Sequence, residues 1–277
     1  MKQLLLVTVA TSFMSGCVVV KDYEMTDRAD APSRITQDTL ITLDEPGDFR
    51  LTAQSIEING QVQGQLRLQG RDVKISNAQI GALDVSAQSL RLNARVHDGL
   101  NASAQTVWLS GDIGGPSVIN AQRLHMDGDI HGAFIANAQS AQLQGTFSDI
   151  TFSGQFLQLD ANTRVYGPAT FNVREGDIHG QYEGPVSIVM AHGVLSGNFH
   201  APISVISLDD GPLAAEQTGL VTMAGRFVGG QICADRVAFT GVSDGVLTII
   251  ANHLPVIESA NDNIRYIPRQ NLPCERF

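Results

Sequence analysis

The chain has 277 residues, with 28 Asp and Glu against 18 Lys and Arg for a formal charge of −10, 27 Gly, and aromatics at 6%. Lysine occurs only at Lys2, Lys21 and Lys74. A chain of this sign repels polyanions, which argues against nucleic acid as a partner, and its acidity serves solubility.

The N-terminus carries Lys2, an apolar run from Leu4 to Val9, and then Met14-Ser15-Gly16-Cys17. A basic residue followed by an apolar stretch reads as a targeting segment and not as part of the fold, and the stretch is too short for a permanent membrane-spanning helix. Met14 to Cys17 resembles the lipobox of bacterial lipoproteins, with Met where Leu is commoner. The resemblance implies a signal peptide over residues 1–16, cleavage before Cys17, and diacylglycerol plus an amide-linked acyl chain on that cysteine. Several acyl chains hold a membrane far more firmly than one. In Gram-negative lipoproteins an Asp directly after the lipidated cysteine favours inner-membrane retention. Val18 occupies that place, so the resemblance implies an outer-membrane anchor with the body of the chain in the periplasm or at the cell surface.

Residues 17–40 mix charges with Pro32 and Ser33 and show no period, as a tether between lipid and folded body would. Leu40, Ile41 and Leu43, before Glu45-Pro46-Gly47, predict an imperfect first coil that caps a stack, because a bare solenoid end exposes strand edges and an apolar lumen. From Phe49 a seventeen-residue unit recurs without a gap, restarting at Leu66, Leu83, Leu100, Ser117 and Phe134. Its shared pattern is apolar, any, apolar, any, Ala-Gln, any, apolar, any, apolar, any, Gly, any, apolar, any, Gly. Self-similarity at so short a period is the signature of a stacked solenoid.

The unit reads as strand. In 83–99, Leu83, Val85 and Ala87 alternate with polar residues, Leu90 and Leu92 do the same, and Val96 stands before Asp98-Gly99. Alternation of this kind marks half-buried strands, and each change of phase marks a corner. Three short strands make a rung, and rungs stack in parallel about 4.8 Å apart. A helical repeat needs a longer unit, and the recurrent Gly, Asn, Asp and Ser disfavour helix. The predicted fold is therefore an all-β, single-stranded parallel β-helix over residues 41–258.

Further along, residues 151–168 hold one residue too many, which predicts a bulge, and the units 169–185 and 186–202 resume the period. Gly176 and Gly193 stand where earlier rungs have a large apolar residue, which predicts a narrowed lumen or a bulged strand. After Pro202 the count fails by ten: 203–212 reads as an insertion, 213–229 and 230–246 return to register, and Leu247 to Val256 form a last partial rung. About twelve rungs would reach roughly 55–60 Å. The tail 259–277, with Pro268 and Pro273, lacks the pattern and is expected to fold back. With Cys17 claimed by lipid, Cys233 and Cys274 remain as an even pair. Cys233 falls at an outward position of the last complete rung. In a compartment that permits disulfides a Cys233–Cys274 bond would pin the tail to that rung; two free thiols are the alternative.

Loop-poor rungs rich in Gly, Ala and alternating small aliphatics, over residues 49–258, resemble the right-handed β-helix of bactofilins and related polymer-forming proteins, and bacterial adhesin-head domains of similar repeats. The resemblance rests on period and pattern, and both termini depart from a cytoplasmic bactofilin. It implies a body that associates with itself end to end or side by side.

No catalytic, cofactor or metal residue is assigned from the sequence. β-Helical polysaccharide lyases and hydrolases build clefts from long corner loops, for which seventeen-residue rungs leave no room. Asp209-Asp210 before Gly211-Pro212 has the composition of a turn. Asp112 and Asp129 are rung neighbours, and His97 and His131 stand two rungs apart, too far for one metal. No serine has a visible base partner. Gln88, Gln105, Gln122 and Gln139 recur at one position in successive units and predict a surface ladder of stacked amides, a strip that would also suit a glycan. The expected function is a lipid-anchored scaffold or adhesive element of the cell envelope, without evident catalysis. The alternative is a carbohydrate-binding or carbohydrate-active module that uses one face of the solenoid.

Overall fold

A chain with apolar residues at alternate positions of short strands, repeated every seventeen, buries all of them together only by winding into a coil with those positions inside. The computed structural model has this architecture. It describes residues 33–34, 39–207, 219–258, 262–269 and 274, which form strands and turns with no helix among them. The signal peptide expected over 1–16, the lipidation site Cys17 and most of the 17–40 tether lie outside the described residues. Two compact units, Met1–Gly132 and Ala133–Phe277, make up the chain. Each is a parallel β-solenoid.

In the first unit Thr39–Glu45 pairs with Ile56–Val62, so the predicted first coil is present. Ser33–Arg34 already pairs with Leu51–Thr52, which starts the ladder inside the stretch expected to be tether. Leu83 pairs with Leu100 and Leu100 with Ser117, while Val85 pairs with Ala102 and Ala102 with Ile119. Stacked partners are seventeen residues apart, and all six of these side chains are buried. Ser117, the polar member, donates its hydroxyl to the Gly115 carbonyl at 3.4 Å.

The recurrent Gly of the unit has a conformational cause. Gly60 and Gly111 have φ of +102° and +135°, a region closed to most side chains, and a Cβ on Gly111 would collide with the Ala94 carbonyl of the rung beneath. Asn77, at φ +53°, fills the same place in its rung. The following rung has Ala94 there, and the ladder shifts: Ser76 pairs with Asn93, seventeen on, but Ala78 pairs with Ala94, sixteen on, until Ala82–Gly99 restores the offset. Asn77 is the extra residue of a one-residue bulge.

In the second unit Ala169, Val186, Ile203, Gly230, Leu247 and Ile264 pair in succession. Four expectations are corrected here. Ile150, not Thr151, pairs with Ala169, and the surplus is a turn, not a bulge: Leu159 pairs with Ile178, nineteen on, and Arg164 with Gln181, seventeen on. The turn is closed by the Thr163 amide donating to the Asp160 carbonyl and the Asn162 amide to Asp160 Oδ1, both at 2.9 Å. Secondly, the insertion does not begin at 203. Ile203–Ser207 is a regular strand between Val186–Met190 and Gly230–Ala234, so the added residues fall between Ser207 and Gly219, where 208–218, with Asp209 and Asp210, lie outside the described residues. Thirdly, the strand does not bulge at Gly176 and Gly193, which pair with each other in an unshifted ladder, with Val173 and Ile178 beside the first and Met190 beside the second. Finally, the tail adds another parallel strand, Ile264–Pro268, on Leu247–Ala251 before its end returns to the Cys233 rung.

That return is covalent. Cys233 and Cys274 form a disulfide with their Cα atoms 5.8 Å apart. Cys233 lies in the outward phase, between inward Ile232 and Ala234, yet is only 2% exposed.

One inward column of this unit is aromatic. The rings of Tyr182, Phe199 and Phe227 stack with centroids 4.8 Å apart at each step, which is the rung spacing, and Phe239, from the neighbouring column that holds Met223, leans on Phe227 in a tilted contact at 5.7 Å. The buried Tyr182 hydroxyl donates to the His179 carbonyl at 2.9 Å. Burial holds its phenol well above the ordinary pKa of 10.0. Aromatic stacking adds roughly 0.5–1.5 kcal/mol per pair beyond buried area.

Tyr182→Ala is expected to cost about 3–5 kcal/mol in denaturant unfolding of this unit, against about 1 kcal/mol for Tyr182→Phe. Because the folded-state pKa of Tyr182 is raised, its contribution is whole below pH 10.0 and declines as pH rises beyond it. Alkaline melts should therefore show a loss of stability above that pH that is smaller in Tyr182→Phe. Reduction of the disulfide, or Cys274→Ser, is expected to remove about 2–4 kcal/mol, read from melts with and without reductant; peptide mapping without reduction that finds a free thiol at either cysteine would refute the bond.

Candidate functional site

Because rungs align residues seventeen apart, outward positions form columns just as inward ones do. One pair of columns in the first unit makes an open trough of about 550 Å³. Lys74 pairs with Arg91, and Trp108 with His125, in one column. Ser76 with Asn93, and Ser110 with Asp127, form the column beside it, against the corner where Asn77 and Gly111 take positive φ. The inward residues between the columns, Ile75, Leu92 and Leu109, are buried and form the floor.

Trp108 is 40% exposed, and the Arg91 guanidinium lies over its ring, 5.0 Å from the centroid. Lys74 is held by Glu57 of the rung beneath, Nζ to Oε1 at 2.6 Å. Arg91 makes no ion pair with a carboxylate among the described residues. The trough thus joins an aromatic platform, a planar cation that no described carboxylate neutralises, and the hydroxyls and amide of its second column. Chemically it can stack a ring and accept an anion with hydrogen bonds around it. The sequence reading missed this site. Its signal was present, as the single tryptophan at an outward position seventeen residues from Arg91.

The glutamine ladder is less than expected. Gln88, Gln105 and Gln122 are exposed at a corner, and the Gln105 amide donates to the Gln88 carbonyl at 3.0 Å, a backbone link. No side-chain amide bond joins these three among the described residues. Gln139 is exposed on the second unit.

Asp112 pairs with Asp129 in register, as expected, and receives Arg95 Nε at 3.2 Å and His131 Nε2 at 2.9 Å. The Arg95 guanidinium and the His131 ring already engage that carboxylate. Among the described residues no group of three His, Cys, Asp or Glu is arranged to hold a metal. On the second unit exposed Arg226 grips Asp244 through Nε at 2.6 Å and Nη2 at 3.1 Å; this hydrogen bonding raises the arginine pKa and lowers that of the carboxyl.

The expectation that no serine has a base partner is corrected. Ser196 pairs in register with His179, its hydroxyl meets His179 Nδ1, and His179 Nε2 reaches Asp177 Oδ1 at 2.6 Å. The arrangement resembles an acid–base–nucleophile row. Ser196 and Gly197, however, sit mid-ladder between Ala169–Tyr182 and Leu220–Phe227, and their amides are committed to neighbouring strands, so they offer no donors to an oxyanion. The row is a hydrogen-bonded surface chain.

No protein-family model, curated protein or solved structure matches this chain.

Proposed function

We propose that the protein is a structural element of the bacterial cell envelope: a β-solenoid, lipid-anchored at Cys17 to the outer membrane, that assembles by contact between the ends of its coils. The lipobox resemblance of Met14 to Cys17 supports the anchor, and the likeness of the repeat to bactofilins and adhesin heads supports assembly or adhesion. One observation carries the reading. At the C-terminal end of the second unit Ile257 stacks in the inward phase above buried Phe239 and is still 39% exposed, beside Leu254 at 77%. Ile264–Pro268, the last strand, pairs on one side only among the described residues. An apolar lumen end beside an open strand edge favours addition of a further strand, and a second copy of the chain brings the same edge and the same apolar surface.

Sedimentation and negative-stain electron microscopy of the delipidated protein are expected to show concentration-dependent end-to-end species, reduced to monomer by Leu254→Lys with Ile257→Lys. A monodisperse monomer of the unaltered chain at all concentrations would refute assembly. Mass spectrometry should find acylation of the N-terminal cysteine, absent in Cys17→Ser.

A further inference from the structure

We infer that the trough over Trp108 is a binding site for an acidic oligosaccharide, with Trp108 as the stacking platform and Arg91 as the cation that recognises a sugar carboxylate. The inference is independent of end-to-end assembly, which concerns the other unit.

The position of Trp108 is the first reason. Inward Leu109 beside it fills the lumen, so core packing does not require an indole at 108, and the indole instead lies 40% exposed on the wall of a trough. An exposed aromatic plane offers large contact area at little conformational cost. The carbon–hydrogen face of a pyranose is the apolar surface that fits such a plane while its rim stays polar.

Arg91 decides the class of sugar. Its guanidinium lies 5.0 Å from the ring centroid, already oriented by the indole, and no described carboxylate neutralises it. A planar guanidinium matches a carboxylate with two parallel hydrogen bonds. Lys74, the next residue down the column, is the one lysine beyond residue 40 of this acidic chain. At the other end of the trough Asp127 accepts hydrogen bonds from hydroxyls and repels carboxylates. The acidic sugar therefore belongs at the Lys74–Arg91 end and a hydroxyl-rich unit at the Asp127 end.

Spacing agrees. Columns step by about 4.8 Å per rung, and alternate residues along a strand are about 6.6 Å apart, so Ser76, Asn93 and Ser110 present a polar group at each step beside the platform. A linear glycan laid along the coil meets a donor or acceptor at every rung. Single-stranded nucleic acid also stacks on Trp and pairs with Arg, but its many phosphates face a chain of net charge −10.

The chain holds one tryptophan, so intrinsic emission of the full-length protein in detergent reports this site alone. Titration with tetragalacturonate is expected to give a saturable change in emission, with affinity about tenfold or more above that for neutral maltotetraose. Arg91→Gln, at an exposed position, should leave the melting temperature unchanged and weaken tetragalacturonate about tenfold. Trp108→Ala should abolish the binding heat in calorimetry, while Gln105→Ala and Gln122→Ala leave it unaltered. No saturable response to tetragalacturonate, equal affinity for the two oligosaccharides, an unaffected Arg91→Gln, or tighter binding of single-stranded oligothymidylate would each overturn the inference.

Discussion

Hydrogen bonds between successive rungs are the constraint on which everything else rests. The strands of one rung do not pair with each other, so their amides and carbonyls must be met by the rungs on either side, and every strand pair among the described residues is parallel for that reason. A strand offset by one residue would turn its inward set outward. Departures from the period include the bulge at Asn77, the Asp160–Thr163 turn and the stretch after Ser207, and the last rungs depart as well, with Val221 pairing with Val237 sixteen on and Phe239 with Ile257 eighteen on.

Within that ladder the core is a tiling problem. Stacked inward positions must fill the lumen at each level, and the solutions are local. Aliphatic columns such as Val85, Ala102 and Ile119 serve the first unit, while Tyr182, Phe199 and Phe227 lay flat rings at the rung spacing in the second. Where the column supplies only Gly193, the Met190 thioether occupies the room, as an unbranched side chain readily does. The disulfide adds a tie that the ladder does not provide, joining Cys274 to the Cys233 rung across the added strand Ile264–Pro268.

The same alignment makes surfaces. Side chains distant along the chain become neighbours at one rung spacing, which is how Glu57 meets Lys74, Arg91 meets Trp108, and His179 meets Ser196. A solenoid thus presents chemistry as strips along its length, and the Trp108 strip combines an aromatic plane with a guanidinium that no described carboxylate pairs. The C-terminal end of the second unit differs, because Ile257 stacks on buried Phe239 yet is 39% exposed and has no further register partner among the described residues.

The amino-acid order alone determined the fold class, the period and the inward set from Leu51 to Ile130, because each follows from residue type at fixed spacing in a parallel coil; it offered Cys233 and Cys274 as an even pair with two free thiols as the alternative, and the structure joins them. It also implied where conformational freedom is required, through the recurrent Gly. Tertiary structure decided the rest. The place of the ten added residues could not be counted from the chain, since Ile203–Ser207 suits a strand and an insertion equally until its partners Val186 and Gly230 are known. The Trp108 trough and the Asp177–His179–Ser196 row depended on which outward neighbours reach each other, and the glutamines, aligned by period, remained exposed without joining amide to amide. Period sets which residues share a column; only side-chain direction and the shape of each corner set whether they touch.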